Sequence, residues 1–153
     1  MNCSYESISR YKYLYGIYQV PKQFRCVRCI FDAIEDGKLT AVSSVGSMYT
    51  NAYLVTLYLK ENEIHKPRQT EKLRLILNTF RQIAPTVDCS DDTIKEAIND
   101  EQFTDIEDSF QYHCALQHDC DVLLTINIKD YKNVLDSKTE VMTQQGFVEK
   151  YLK

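Results

Sequence analysis

The chain has 153 residues, of which 44% are hydrophobic and 26% are charged, so we expect one globular domain spanning residues 1–153. It contains no run of about eighteen apolar residues, which excludes an obvious membrane-spanning helix, and we expect no membrane partner. The formal net charge of −4 argues against a broad, non-specific grip on nucleic acid, because such binding depends on lysine and arginine neutralising phosphates.

The N-terminal part of the chain is predicted to place a strand before a helix. Residues 11–20 carry aromatic or aliphatic side chains at alternate positions, which predicts a strand. Pro21 suits the first turn of a helix, and hydrophobic residues at helical spacing follow it as far as Gly37, a typical stop. Residues 39–43 then predict a short strand.

The middle of the chain continues this alternation. A second helix is predicted to begin at Ser47 or Asn51, and a third, strongly amphipathic helix is predicted to end before Pro85. Residues 86–88 predict a brief strand. Ser90 is a favourable N-cap for a further helix.

The last third of the chain carries the clearest strand. Thr104 or Asp105 is predicted to open a helix, and residues 121–126 predict a buried strand. Residues 141–142 predict a last strand, after which Thr143 caps a final helix. Alternating strands and helices indicate βαβ units and a parallel sheet.

Acidic residues are concentrated at the start of the helix predicted near residue 105. Asp105 and Asp108 are three positions apart, so they share one helix face with Cβ atoms about 5–6 Å apart, whereas Glu107 points elsewhere. Acids in a first turn also cap free N–H groups and favour the helix dipole, so capping is the competing interpretation of this cluster.

Polar residues also follow the buried strand predicted over residues 121–126. Ligands bind at the carboxyl ends of strands in a parallel α/β sheet, so Asn127 and Asp130 are predicted to lie near the acidic helix start. Thr125 could hydrogen-bond a carboxylate or a bound water, although a simple polar turn would use the same residue types. Hard oxygen ligands suit Mg²⁺ or Mn²⁺, and the predicted ligands are Asp105, Asp108 and Asp130.

Three segments of the C-terminal half form a recognisable pattern: residues 103–112 (FTDIEDSFQY), 115–116 (AL) and 120–131 (CDVLLTINIKDY). Through these segments the C-terminal half resembles that of PIN-domain proteins. The resemblance is strongest to a bacterial branch with a D-F-E-D-A-x-Q helix followed by a T-R-N-x-K-D-F loop. The segment around Val141, Met142, Thr143 and Phe147 also matches that branch, so the resemblance is specific over residues 103–152 and weaker over residues 22–100.

The resemblance implies a three-layer α/β/α sandwich with a central, mainly parallel sheet. It also implies Mg²⁺- or Mn²⁺-dependent hydrolysis of RNA by Asp105, Asp108 and Asp130, with Thr125, Asn127, Glu107 and Asn51 in support. Many such proteins are toxins of toxin–antitoxin pairs, so the implied partners are an RNA substrate and an antitoxin protein.

Two positions depart from the family pattern. The family places an aspartate just after its first strand, where this chain reads SISRYK over residues 7–12, and Glu6 is the only acid before Asp32. Asn51, which has no charge, is the nearest counterpart of an acid that the family often carries after its second strand. Two hypotheses therefore stay open: a ribonuclease of reduced activity, and a catalytically inactive PIN-like binding module.

The cysteines and tyrosines allow further interpretations. No export signal is recognisable in residues 1–19, so we expect a cytoplasmic protein with reduced cysteines. Cys26 and Cys29 have C-x-x-C spacing, which would make a zinc or redox site only with further ligands, for which the candidates are His113, Cys114, His118 and Cys120. Base stacking, core packing and a homodimer contact are all open for Tyr5, Tyr11, Tyr13, Tyr15 and Tyr18.

Overall fold

The computed structural model describes residues 2–5, 21–134 and 138–153. The strand predicted over residues 11–20 lies outside these ranges. Within them the protein is mixed α/β, with strands β1 Asn2–Tyr5, β2 Thr40–Ser44, β3 Thr86–Val87, β4 Val122–Leu124 and β5 Glu140–Met142. The α-helices of the same part of the chain are α1 Pro21–Glu35, α2 Val45–Glu61, α3 Arg68–Ile83, α4 Asp91–Asn99, α5 Ile106–Gln117 and α6 Gln144–Tyr151.

The strands pair in parallel, in the order β3-β2-β1-β4-β5. In β1, Cys3 is in register with Ala41 of β2 on one side and with Val122 of β4 on the other. Because every pair is parallel, the carboxyl ends of the strands lie at one edge of the sheet. The segments that leave this edge are therefore the ones that can assemble a site.

Within the described part of the chain, buried side chains form two hydrophobic clusters. Val122 and Leu124 of β4 belong to one, together with Ile30 of α1 and Phe147 of α6. Leu123 belongs to the other, which includes Tyr112 and Ala115 of α5 among its buried members. Successive side chains of a strand point to opposite faces, so the uninterrupted apolar run of β4 supplies both clusters.

Most helix starts and stops follow local sequence signals. Gly37 adopts a φ of 71° just beyond the end of α1, which fits its predicted role as a stop. The predicted start of α2 at Ser47 or Asn51 is wrong, because β2 runs directly into this helix and the hydroxyl of Ser44 caps it by accepting the N–H of Ser47. The predicted N-caps of the other helices are confirmed at Ser90, Asp105 and Thr143.

The strand predicted over residues 121–126 is shorter than expected. The N–H of Thr125 still donates to the carbonyl of Met142 at 3.0 Å, but the chain then turns into a 3₁₀ helix over Ile128–Tyr131. This turn brings the residues after β4 back across the edge of the sheet. No helix in the described ranges is both long and apolar enough to cross a lipid bilayer.

Candidate metal centre

Three aspartates converge where α5 begins and the 3₁₀ helix follows β4. Asp105, Asp108 and Asp130 each offer a carboxylate oxygen, and these oxygens lie within 4.8 Å of one another. An octahedral ion with oxygen ligands at about 2.0–2.1 Å spans about 4 Å between opposite ligands, so movements of less than about 1 Å would bring the three oxygens onto one Mg²⁺-like ion. The structure thus brings together the three residues that the sequence analysis selected as ligands.

Asp108 is the most constrained of the three aspartates. Asp108 is fully buried, and a buried carboxylate needs hydrogen-bond donors around it. The Tyr131 hydroxyl donates to its Oδ1 at 3.2 Å, and the Asn127 side-chain amide donates to its Oδ2 at 3.2 Å. Both donors come from the turn after β4, so this turn fixes the carboxylate in place.

Asp105 is half-buried and acts as the N-cap of α5. Its Oδ1 accepts the backbone N–H of Glu107 at 2.9 Å and that of Asp108 at 3.4 Å. The capping interpretation of this residue is therefore confirmed. Capping also holds the carboxylate at the helix start, where it meets the other two aspartates.

Thr125 and Asn127 hold the Asp108 carboxylate in place through two successive hydrogen bonds. Thr125 is buried, and its Oγ1 accepts the backbone N–H of Asn127 at 3.0 Å. In the described ranges this hydroxyl therefore orients the turn and makes no hydrogen bond to a carboxylate. Asn127 contacts Asp108 directly, so the two residues form a chain of support from the strand end to the buried ligand.

The other candidate residues do not join the carboxylate group. Glu107 is exposed and lines a neighbouring cavity, as expected from its direction on the helix. Asn51 is 2% exposed in α2, and neither polar atom of its side chain has a hydrogen-bond partner in the described part of the protein. PIN-domain proteins carry an aspartate just after their first strand, and the residues nearest that position in this chain are the acid Glu6 and the base Arg10. Both lie outside the described residues.

A buried polar network next to the aspartates was not predicted from the sequence. The Oε1 of Gln111 lies 2.8 Å from the Oγ of Ser44 and 3.2 Å from the Oγ of Ser47. These contacts connect the first turns of α2 to the middle of α5. The only local signal for this network is that Gln111 lies one helical turn after Asp108, on the same face.

The cysteines whose side chains the structure describes are all free thiols: Cys26, Cys29, Cys89, Cys114 and Cys120. Among the described residues, the three aspartates are the only group of three or more potential metal ligands brought together. The structure therefore does not assemble the zinc site that the C-x-x-C spacing allowed. Of its candidate partners, His113 pairs with Asp100 at 2.9 Å, and His118 Nε2 lies 2.7 Å from the carbonyl oxygen of Asp88.

Comparison with protein-family models finds none that matches this chain, and no curated protein is significantly similar to it.

Proposed function

We propose that this chain is a PIN-like ribonuclease domain that uses Mg²⁺ or Mn²⁺ to hydrolyse RNA phosphodiester bonds, with reduced activity. The proposal rests on the convergence of Asp105, Asp108 and Asp130 within 4.8 Å of one another at the carboxyl edge of parallel strands. The PIN-like three-layer sandwich is part of the same proposal. It is supported by the two hydrophobic clusters to which alternate residues of β4 contribute.

The residues present fit a divalent ion of the hard-oxygen class. Asp105, Asp108 and Asp130 would hold it, and a bound ion would polarise the phosphate and lower the pKa of a coordinated water. The protein's own contribution is positional. Asn127 and Tyr131 keep the Asp108 carboxylate in one orientation, and the N-cap bonds of Asp105 keep the second carboxylate at the helix start.

The biological setting follows from the sequence resemblance alone. A toxin of a toxin–antitoxin pair would meet an RNA substrate and an antitoxin protein in the cytoplasm, and a homodimer is a further proposed assembly. A chain with a net charge of −4 has little general attraction for RNA, so substrate binding should depend on the metal centre and on contacts next to it.

The alternative is a catalytically inactive PIN-like binding module. It is favoured by the bonds that the carboxylates make within the protein: Asp105 caps α5, and Asp108 holds Asn127 and Tyr131. These hydrogen bonds give both aspartates a structural role that requires no metal ion. Metal binding and RNA cleavage therefore have to be measured separately.

The test is a titration with Mn²⁺, followed by an RNA cleavage assay on the same protein. We expect the wild type to bind one ion weakly and to cleave single-stranded RNA slowly. Asp108→Asn should lower Mn²⁺ affinity by at least about tenfold and abolish cleavage, because a neutral amide is a much poorer ligand for a hard cation. Asp130→Asn, at a half-buried position, repeats the test with less risk to folding.

Asp119→Asn is the matched control. Asp119 is exposed beyond the C-terminal end of α5 and has a φ of 49°, a conformation that asparagine adopts readily. It makes the same charge change at the far end of the helix and should leave Mn²⁺ affinity unaltered. A wild type that binds no Mn²⁺ refutes the metal centre, whereas Asp108-dependent binding without cleavage selects the inactive module.

A further inference from the structure

A cavity beside the aspartates offers a second, distinct binding site. It has a volume of about 380 Å³, within the range of small-molecule sites, and lies between the ends of β2 and β3, the start of α2 and the first turns of α5. We propose that this cavity holds one unpaired base of the RNA, with guanine preferred, an inference that rests on the proposed ribonuclease function. The argument uses the walls of the cavity, a glutamine and a glutamate.

The walls suit a flat aromatic base and disfavour a phosphate. The hydrophobic side chains that line the cavity are Val45, Val87, Ile94 and Phe110. Unstacked RNA bases pack against surfaces of this kind, above all against aromatic rings such as that of Phe110. The charged side chains of the lining are the acids Asp88 and Glu107. Their charge repels a phosphate but accepts hydrogen bonds from the amino and imino groups of a base.

Gln111 lines the cavity and carries a side-chain amide whose N–H groups are donors. The residue is 5% exposed, and the hydroxyls of Ser44 and Ser47 lie close to its Oε1. The Ser47 hydroxyl can donate to Oε1 at 3.2 Å, and the Ser44 hydroxyl lies within reach of both Oε1, at 2.8 Å, and the Ser47 Oγ, at 3.0 Å. The amide oxygen, and not Nε2, therefore faces the two hydroxyls. The Nε2 of Gln111 has no acceptor among the described residues, so its N–H groups can bind an acceptor on a ligand.

Glu107 places an acceptor next to this donor. It lies four residues before Gln111 on the same helix, so the two side chains are neighbours with Cβ atoms about 5–6 Å apart. Guanine matches this pair best, because its adjacent N1–H and N2–H groups can bind one carboxylate while O6 accepts from the amide. Uracil offers a single N–H donor, and adenine and cytosine offer one amino group.

The position of the cavity fits a base next to the bond that is cut. Glu107 is followed directly by Asp108, and consecutive Cα atoms are about 3.8 Å apart. Gln111 lies one helical turn after Asp108 on the same face, so a base bound by Gln111 and Glu107 would lie about one turn of helix from the metal centre. This arrangement gives the acidic protein a way to select RNA without a basic surface.

The experiment compares the binding of GMP, AMP, CMP and UMP to the full chain in EDTA, followed by NMR of side-chain amides. The four nucleotides carry the same phosphate, so any difference in affinity comes from the base. We expect GMP to shift the Gln111 amide signals and to bind at least about tenfold more tightly than UMP. Glu107→Gln should weaken GMP about tenfold by removing the charged acceptor, whereas Glu101→Gln, an exposed acid outside the cavity, should not.

Equal affinity for the four nucleotides would overturn this inference, as would the absence of any shift at Gln111 or unchanged GMP affinity in Glu107→Gln. Its failure can be told apart from that of the proposed function, because no metal and no cleavage enter the measurement. A protein that cleaves RNA but shows no base selectivity refutes the cavity assignment alone. One that binds GMP through Gln111 but never Mn²⁺ refutes the metal centre alone.

Discussion

Replacing Asn51 with leucine should stabilise the protein. Asn51 is 2% exposed on the buried face of α2, and its Oδ1 and Nδ2 have no hydrogen-bond partner in the described part of the chain. Its neighbours on that face include the hydrophobic residues Leu54, Val55 and Leu59. Leucine has a similar size and shape but no polar atom to desolvate.

The magnitude follows from two opposing effects. Each buried polar group without a partner costs about 1–3 kcal/mol, so the amide costs about 2–6 kcal/mol in total. Fitting the tetrahedral end of leucine where a planar amide was packed costs about 1–3 kcal/mol. We expect the free energy of unfolding to rise by about 1–3 kcal/mol, which for a domain of this size raises Tm by roughly 2–12 °C.

Urea unfolding at 25 °C, followed by circular dichroism, measures this change directly. Asn78→Leu is the matched control, because Asn78 is exposed on α3 and its side-chain amide donates to the carbonyl of Arg74 at 3.0 Å. This control should stay within about 0.5 kcal/mol of the wild type. A loss of more than about 1 kcal/mol in Asn51→Leu would show that the amide makes a bond which the native state needs.

The same variant tests the supporting role predicted for Asn51. A buried polar group that lowers stability is often retained because it serves a functional site. We therefore expect Asn51→Leu to be more stable than the wild type and slower in RNA cleavage. Full activity in the stabilised variant would separate Asn51 from the site.

Two further predictions concern the hydrogen bond between Asp100 and His113 and the thiols. Asp100→Asn should lower the free energy of unfolding by about 1–3 kcal/mol at pH 7, because Asp100 pairs with His113 at 2.9 Å and both side chains are 13% exposed. Burial raises the pKa of Asp100, but hydrogen bonds from His113 and Gln102 outweigh it and hold the pKa below 3.8. This stabilisation is complete well above pH 3.8, the ordinary pKa of the carboxyl, and is lost as the pH falls through the lower folded-state value. Unfolding measured from pH 7 to pH 2 should show the gap to Asp100→Asn closing, and a constant gap would contradict the argument. Thiol titration of the denatured, unreduced protein should find most of the six cysteines reactive, and two stable disulfides would contradict a reducing compartment. Among the cysteines whose side chains the structure describes, exposed Cys29 should react first in the native protein and Cys114 last, since burial and the nearby Cys89 raise the pKa of Cys114.

The sequence by itself determined the features that depend on near neighbours. Asp105 and Asp108 had to share a helix face because they are three residues apart, and capping by Ser90, Asp105 and Thr143 needs only the next turn of chain. The apolar run of β4 likewise predicted a strand buried on both faces. These elements were predictable because the interactions that decide them span only a few residues.

Only the tertiary structure decided which distant groups meet. The hydrogen bond between Ser44 and Gln111 joins residues 67 positions apart, and the bond between Asn127 and Asp108 joins residues 19 apart. The start of α2 depended on how far β2 continues in register with its neighbours, so the sequence placed it too late. Strand pairing brings these segments together, and a shift of one residue along a strand turns every side chain to the opposite face. The register of the sheet therefore decides which helix faces meet. For this reason the spacing of residues along a helix could not by itself predict the cavity, the Gln111 donor or the burial of Asn51.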